Sequence, residues 1–139
     1  PLLQPLGLPD YRRVEATHVV PAIEHLVDDA DPALQRATAD EVPADYDALA
    51  LLLDVPVERL GRAWGVVTHL SEVADSPALR EAQHAALPRV TDFYTRLGSD
   101  AALYRKYREV AARAEPACPA KHQALHLTLR EFVLGGAEL

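Results

Sequence analysis

One apolar stripe constrains the fold of this chain more than any other feature of its sequence. Asp45 is a candidate N-cap, and after it apolar side chains recur at helical spacing for about 30 residues. They are Leu49, Leu52, Leu53, Pro56, Leu60, Ala63, Trp64, Val67, Leu70 and Ala74. At about 1.5 Å per residue this helix would be roughly 45 Å long, whereas a compact domain of this size has a radius of gyration of only about 14 Å. Therefore either Pro56 breaks the helix, or the helix extends along a larger body.

The segment before this stripe predicts an extended arm and one more helix. Residues 1–14 contain several prolines and read as the arm, and residues 15–139 read as a single helical domain. Helical spacing begins at Val19 and continues to Leu34. Pro32 lies inside that run, so we expect it to kink or restart the helix, with Asp31 capping the second piece.

The rest of the chain predicts three further helices, because proline, glycine and capping residues divide the apolar spacing into three runs. Gly98 is expected to end the first of these runs in a left-handed turn. The expected limits are Ser76-Pro77 to Gly98, Ser99 or Asp100 to Pro116, and Pro119 to Gly135-Gly136. No convincing alternating strand is visible. The sequence thus predicts an all-α fold of about five antiparallel helices joined by short loops.

Composition excludes several classes of function. The net charge is −7 with no run of Lys or Arg, which argues against a nucleic-acid partner. No stretch of about 20 apolar residues exists, so no membrane span is expected. The first residues lack a basic segment followed by an apolar one, so no signal peptide is expected. Cys118 is the single cysteine, which excludes an intrachain disulfide and fits a cytoplasmic location.

His122 and His126 are the strongest candidates for a metal site. They have the histidine spacing of the zinc-protease signature H-E-x-x-H, but Gln123 replaces the glutamate that would accept a proton from zinc-bound water. Cys118 could be a third ligand, yet Pro119 disfavours the helical geometry that this requires. Glu131 falls on the opposite side of the helix from His122. We therefore predict no zinc site, and expect the two histidines to be partly buried at the edge of a core.

The other chemically active residues also favour structural roles. We expect His69 to be a packed, hydrogen-bonded imidazole, and the acidic cluster Asp28, Asp29 and Asp31 to be a solvated helix face. His18 and His25 lie two turns apart, without an acidic or cysteine partner at ligand spacing. No nucleophile elbow and no phosphate-binding glycine loop is present. The sequence therefore assigns no catalytic, cofactor-binding or metal-binding residue.

Short segments spread along the whole chain carry a resemblance to one family. They are, in order, Pro1-Leu2-Leu3 with Leu8-Pro9, His18-Val19-Val20-Pro21-Ala22-Ile23, Leu60-Gly61-Arg62, Val67-Thr68-His69-Leu70, Ser76-Pro77-Ala78-Leu79-Arg80-Glu81-Ala82, Leu87-Pro88, Leu103-Tyr104, and Leu129-Arg130-Glu131-Phe132 with Leu134-Gly135. In this order and spacing they resemble the N-terminal region of the thimet oligopeptidase family of zinc metallopeptidases. The chain departs from the family at Ala16-Thr17, where Pro-Glu is usual, at Tyr46, where Trp is usual, and at Pro32.

The resemblance implies a supporting role rather than a catalytic one. In the family, the zinc ligands and the general base lie several hundred residues beyond Leu139, so none can be assigned to this chain. These first helices would form one wall of a channel that admits short peptides. The implied partner is the catalytic half of the same polypeptide, which would bind the zinc, and the 139-residue chain alone would be inactive.

Two alternatives remain open. The chain could be a free-standing helical interaction module, because a helical segment taken from a larger body leaves an apolar face uncovered. It could also be a small metal-binding protein that uses Cys118, His122 and His126.

Overall fold

The computed structural model describes residues 1–4, 7–113 and 119–137. Within these residues the chain forms helices and turns and no strand, which confirms the all-α prediction. A 3₁₀ turn at Tyr11–Arg13 interrupts the arm that the sequence predicts as extended. The remaining elements, in chain order, are α1 (Ala16–Thr38), α2 (Tyr46–Leu49), a π-helical segment (Ala50–Asp54), α3 (Val55–Val73), α4 (Pro77–Ser99), α5 (Ala101–Ala112) and α6 (Pro119–Leu134).

The long apolar stripe forms one uninterrupted helix. Asp45 caps it as expected, because its Oδ2 accepts a hydrogen bond of 2.9 Å from the Ala48 amide. From there α2, the π-helical segment and α3 follow one another with helical backbone angles at both joins. Together they form the long helix, which covers 46–73 and is about 42 Å long at 1.5 Å per residue. Pro56 therefore does not break the helix. The π-helical segment ends at Asp54, two residues before the proline. Its wider turn leaves room for the proline ring, which would clash with a backbone carbonyl in a regular α-helix.

The predicted restart of the helix at Pro32 is wrong. The helix is continuous from Ala16 to Thr38, and both Pro21 and Pro32 lie inside it. Asp31 does not cap a second piece; its carboxylate instead accepts a 2.8 Å hydrogen bond from Arg96 on α4. Pro32 is on the exposed face, where water can solvate the carbonyl that the proline leaves without a helical donor. Ala33 and Leu34 on the opposite face are buried and hold the backbone in place.

Helix limits that depend on local capping agree with the sequence prediction. Ser76 Oγ accepts a 3.1 Å hydrogen bond from the Leu79 amide at the start of α4, and Asp100 Oδ1 accepts one of 2.8 Å from the Leu103 amide at the start of α5. The predicted left-handed turn at Gly98 is wrong, since α4 continues to Ser99 without a positive φ there. The predicted stop of α5 at Pro116 lies outside the described residues.

The core is centred on α1, which packs against both α3 and α4. Apolar side chains from α1, the long helix, α4 and α5 meet there and are almost completely removed from solvent. The largest of them are Phe93, Ile23, Leu26, Leu49, Leu60, Leu103, Val19, Val27 and Val67. Burial of this apolar face supplies the main driving force for folding.

The end of α6 approaches α4 so closely that a side chain at Gly135 has no room. A Cβ atom there would overlap the carbonyl oxygen of Gly98. In contrast, a Cβ atom at Gly98 would meet no atom within 4 Å.

These two glycines give a matched pair of substitutions with opposite expected effects. Gly135→Ala should lower the free energy of unfolding by about 1–3 kcal/mol, because α6 must move away from α4. Gly98→Ala should raise it by up to about 1 kcal/mol, because alanine favours a helical conformation and fits the open space. Urea denaturation measures both. Equal effects at the two positions would contradict this close approach.

Candidate functional site

One cavity of about 380 Å³ opens between the π-helical segment and helices α4, α5 and α6. The π-helical segment contributes Leu53 and Asp54, and α6 contributes Glu131. Four aromatic rings from separate parts of the chain complete its main lining: Tyr46, Tyr94, Tyr107 and Phe132. A π turn often marks a functional position, because it changes the direction of the side chains along a helix. This cavity is therefore a candidate functional site in the described part of the chain.

The electrostatics of the cavity disfavour negative charge. Burial raises the pKa of the Asp54 carboxyl, and the nearby carboxylate of Glu58 raises it further. Burial also raises the pKa of the Tyr107 hydroxyl, with smaller contributions from Asp54 and Tyr46. The pKa of Tyr94 is raised by burial as well. Among the described residues that line the cavity there is no Lys, Arg or His, so the cavity suits an apolar or cationic group better than an anion.

The raised pKa of Tyr107 predicts a loss of stability at alkaline pH. The native hydroxyl keeps its proton above the ordinary value of 10.0, whereas the unfolded hydroxyl ionises there. The stabilising effect is therefore fully present below pH 10 and is lost as the pH rises above it. From pH 9 to 11, the free energy of unfolding of the wild type should fall by about 1 kcal/mol relative to that of Tyr107→Phe. Urea denaturation of both proteins across this range measures the difference, and a constant difference would contradict the prediction.

His122 and His126 are brought together, but not at the edge of a core. Both are exposed, which corrects the prediction that they are partly buried. The buried residues of α6 are Leu125 and Phe132, and at 100° per residue these lie about 60–80° from His122 around the helix. Val133, which lies only about 20° from His122 around the helix, is 44% exposed. The stripe is therefore rotated away from the histidines. Their Nε2 atoms are 3.1 Å apart.

Three of the other four histidines, His18, His25 and His69, have structural partners. The Glu15 amide donates a 3.0 Å hydrogen bond to His18 Nδ1 at the start of α1. His25 does have an acidic neighbour, contrary to expectation, since its Nε2 is 3.5 Å from the Asp29 carboxylate. His69 is exposed rather than packed in the interior, and its ring contacts Tyr11 edge-on.

The acidic cluster on α1 contacts α4, which the sequence pattern alone does not indicate. Asp28 accepts a 2.8 Å hydrogen bond from Arg89, just as Asp31 accepts one from Arg96. Both arginines belong to α4, so these ion pairs connect two helices whose apolar faces already pack together. The predicted solvated face is thus only partly correct. Each pair is exposed to solvent and contributes little to stability by itself.

Within the described ranges, no three His, Cys, Asp or Glu side chains form a group that could hold a metal ion. Cys118 lies outside those ranges. Catalytic zinc needs three protein ligands and structural zinc needs four, so the described residues do not fit a zinc centre of either kind. In the same part of the chain, no helix is both long and apolar enough to cross a bilayer.

The cavity itself is the feature that sequence reasoning missed. Its lining comes from four helical segments, and no spacing rule relates Tyr46 to Tyr94 or Phe132. The only available signal was Pro56 within an otherwise continuous apolar stripe. A proline in a helix interior often accompanies a local irregularity of the kind that the π-helical segment forms here.

Comparison with known proteins identifies the family of this chain. The family model described as "Neurolysin/Thimet oligopeptidase, N-terminal domain" matches residues 23–139. Over its whole length the chain is 33% identical to oligopeptidase A of Escherichia coli strain K12 and of Haemophilus influenzae. It is 30% identical to the probable cytosolic oligopeptidase A of Arabidopsis thaliana. It spans 21%, 21% and 20% of these three proteins, respectively.

The fold and these matches define an all-α N-terminal domain of the oligopeptidase class. The chain belongs to the neurolysin/thimet oligopeptidase family, and it corresponds to about a fifth of the length of the relatives it matches. The resemblance inferred from the sequence is thereby confirmed.

Proposed function

We propose that this chain is the N-terminal helical region of a zinc-dependent oligopeptidase that hydrolyses short peptides. The observation that carries the proposal is its end-to-end similarity to oligopeptidase A, of which it covers only a fifth. The zinc and the general base would be supplied by the rest of the polypeptide, which is the chain's main partner. The 139-residue chain would then have no peptidase activity of its own. A cytoplasmic location is part of the proposal, supported by the relative described as cytosolic.

The chain's own contribution would be to form one wall of the peptide channel. Residues 1–14 would act as an arm, and residues 15–139 as the wall domain. The uninterrupted helix from 46 to 73 supports this role, because it is long relative to a domain of this size. Large apolar side chains that remain exposed are also consistent with a surface that contacts further polypeptide. The most exposed on the long helix and α6 are Leu51 at 77% and Leu134 at 77%.

The test compares the whole gene product with the isolated chain. The whole product is purified from its native cells and assayed with an internally quenched peptide of about eight residues and with a folded protein. We expect it to cleave only the peptide, to lose activity with a chelator, and to regain activity with zinc. The isolated chain should show no turnover with added zinc. Zinc-dependent turnover by the isolated chain that is lost in His122→Ala would overturn the proposal, as would an inactive whole product.

A second candidate is a helical interaction module without catalytic activity. The same exposed apolar side chains favour it, because in a free-standing module they would contact a second copy or a dedicated partner. Sedimentation analysis separates the two functions when it is combined with the peptidase assay. A self-associating native product that cleaves no peptide would support the module.

A further inference from the structure

Two exposed imidazoles on α6 lie in direct contact. His122 and His126 are one helical turn apart, their ring centroids are 4.5 Å apart, and their planes are inclined at 82°. Their Nε2 atoms face each other at 3.1 Å. Without a metal, this contact requires one ring to donate its Nε2 proton to the lone pair of the other.

The same spacing suits a metal ion. Zinc–imidazole bonds are about 2.0–2.1 Å long, so two nitrogens in neighbouring coordination positions are roughly 2.9–3.4 Å apart for angles of about 90–110°. The observed 3.1 Å lies within that interval. We propose that His122 and His126 form a two-imidazole site for a divalent transition-metal ion, whose other positions are filled by water.

The surroundings of the pair favour such a site. Both side chains are exposed, so an ion can reach them without opening the fold. The helix fixes their spacing, which lowers the entropic cost of bringing two ligands together. Lys121, the cationic side chain next to His122 in the sequence, binds the Asp47 carboxylate at 2.6 Å, so a neighbouring anion offsets its charge. On metal binding, the ring that donates its Nε2 proton shifts to the tautomer protonated at Nδ1, and both Nε2 lone pairs then face the ion.

The ligand set also predicts which ions bind. Imidazole nitrogens bind Cu²⁺ more tightly than Ni²⁺, and they bind Zn²⁺ less tightly than Cu²⁺. Acid should release the metal, because only unprotonated imidazoles act as ligands. With two protein ligands, binding should be much weaker than at a structural zinc centre with four.

Thermal unfolding of the full 139-residue chain tests the site. The chain carries Cys118→Ser, because a thiolate is itself a metal ligand. At pH 7.5, about 1 mM Ni²⁺ should raise the melting temperature by roughly 3–5 °C, since an ion that binds only the folded state stabilises it. His122→Ala and His126→Ala should each abolish the increase. The matched control is His84→Ala, at an exposed histidine of α4, which should retain it.

A spacing variant separates a helix-face site from nonspecific binding by histidines. His126→Gln combined with Leu127→His keeps the number of imidazoles but moves one of them by about 100° around α6. Ni²⁺ should not raise the melting temperature of this variant, and circular dichroism without metal should confirm that the variant is folded. The proposal would be overturned if Ni²⁺ did not raise the melting temperature of the Cys118→Ser chain. It would also be overturned if Ni²⁺ still raised the melting temperature of His122→Ala or of the spacing variant.

Discussion

Phe93→Ala should lower the free energy of unfolding by about 3–5 kcal/mol, the largest effect that we expect from one substitution in this chain. Phe93 lies on α4, is 0% exposed, and is the largest of the fully buried side chains among the residues that the structure describes. The change removes apolar area from the core and leaves a cavity that close-packed neighbours can only partly fill. Urea denaturation at 25 °C, followed by circular dichroism, measures the effect.

The matched control for this prediction is Leu87→Ala on the same helix. Leu87 is 43% exposed, so its removal should cost less than about 1 kcal/mol. The contrast also removes the general effect of introducing alanine into α4. If the two variants lost similar amounts of stability, the core as described around Phe93 would be wrong.

Lys106→Met should cost about 2–3 kcal/mol, although it replaces a charged side chain with an apolar one of similar length. The ammonium group of Lys106 on α5 donates hydrogen bonds of 2.8 Å to the carbonyl oxygens of Ala37 and Val42, and a further one to Ala39. These carbonyls lie at and just beyond the end of α1, where a helix has acceptors without donors and a partial negative charge. Methionine keeps the aliphatic contacts but leaves the three acceptors without this donor.

The neighbouring Arg105→Met is the control for the loss of charge. Arg105 is exposed on the same helix, so the expected change in the free energy of unfolding is below about 0.5 kcal/mol. Both variants are measured by urea denaturation. Hydrogen exchange at the last turn of α1 provides a local readout, and it should accelerate in Lys106→Met only. Unchanged exchange at that turn would contradict the proposed role of Lys106.

Features of the fold that depend on a few neighbouring residues could be predicted from the sequence. Asp45, Ser76 and Asp100 each accept a hydrogen bond from an amide three residues later, as their positions before apolar runs indicate. Gly136 has a positive φ of 90° just after α6, as the glycine pair there suggests. Capping is local chemistry, so the sequence alone is sufficient to locate it.

The sequence could not predict that both helices continue through their prolines, because this depends on contacts between residues far apart in the chain. Pro32 and Pro56 are both accommodated within continuous helices, one on an exposed face and the other by a preceding π turn. Intrinsic propensity argues against either position in a helix, but tertiary packing of the apolar face outweighs it. The sequence does not show how strong that packing is.

The candidate site was harder to predict than the fold. Its lining unites Tyr46, Tyr107 and Phe132, whose proximity results from how α5, α6 and the long helix pack. The histidine pair on α6 was found from its spacing, but its exposure was not, because a helical wheel alone does not show which part of an apolar stripe meets the core. The buried positions prove to be Leu125 and Phe132.

The mass of the native gene product is the most direct test of the central claim that this chain is one region of a larger oligopeptidase. An antibody raised against the 15.2 kDa chain identifies the product in its own cells, and intact mass spectrometry then measures it. If the chain is 21% of its product, as it is of oligopeptidase A, the mass should be about 72 kDa, which is 15.2 kDa divided by 0.21. A native product near 15.2 kDa would contradict the claim and favour the interaction module.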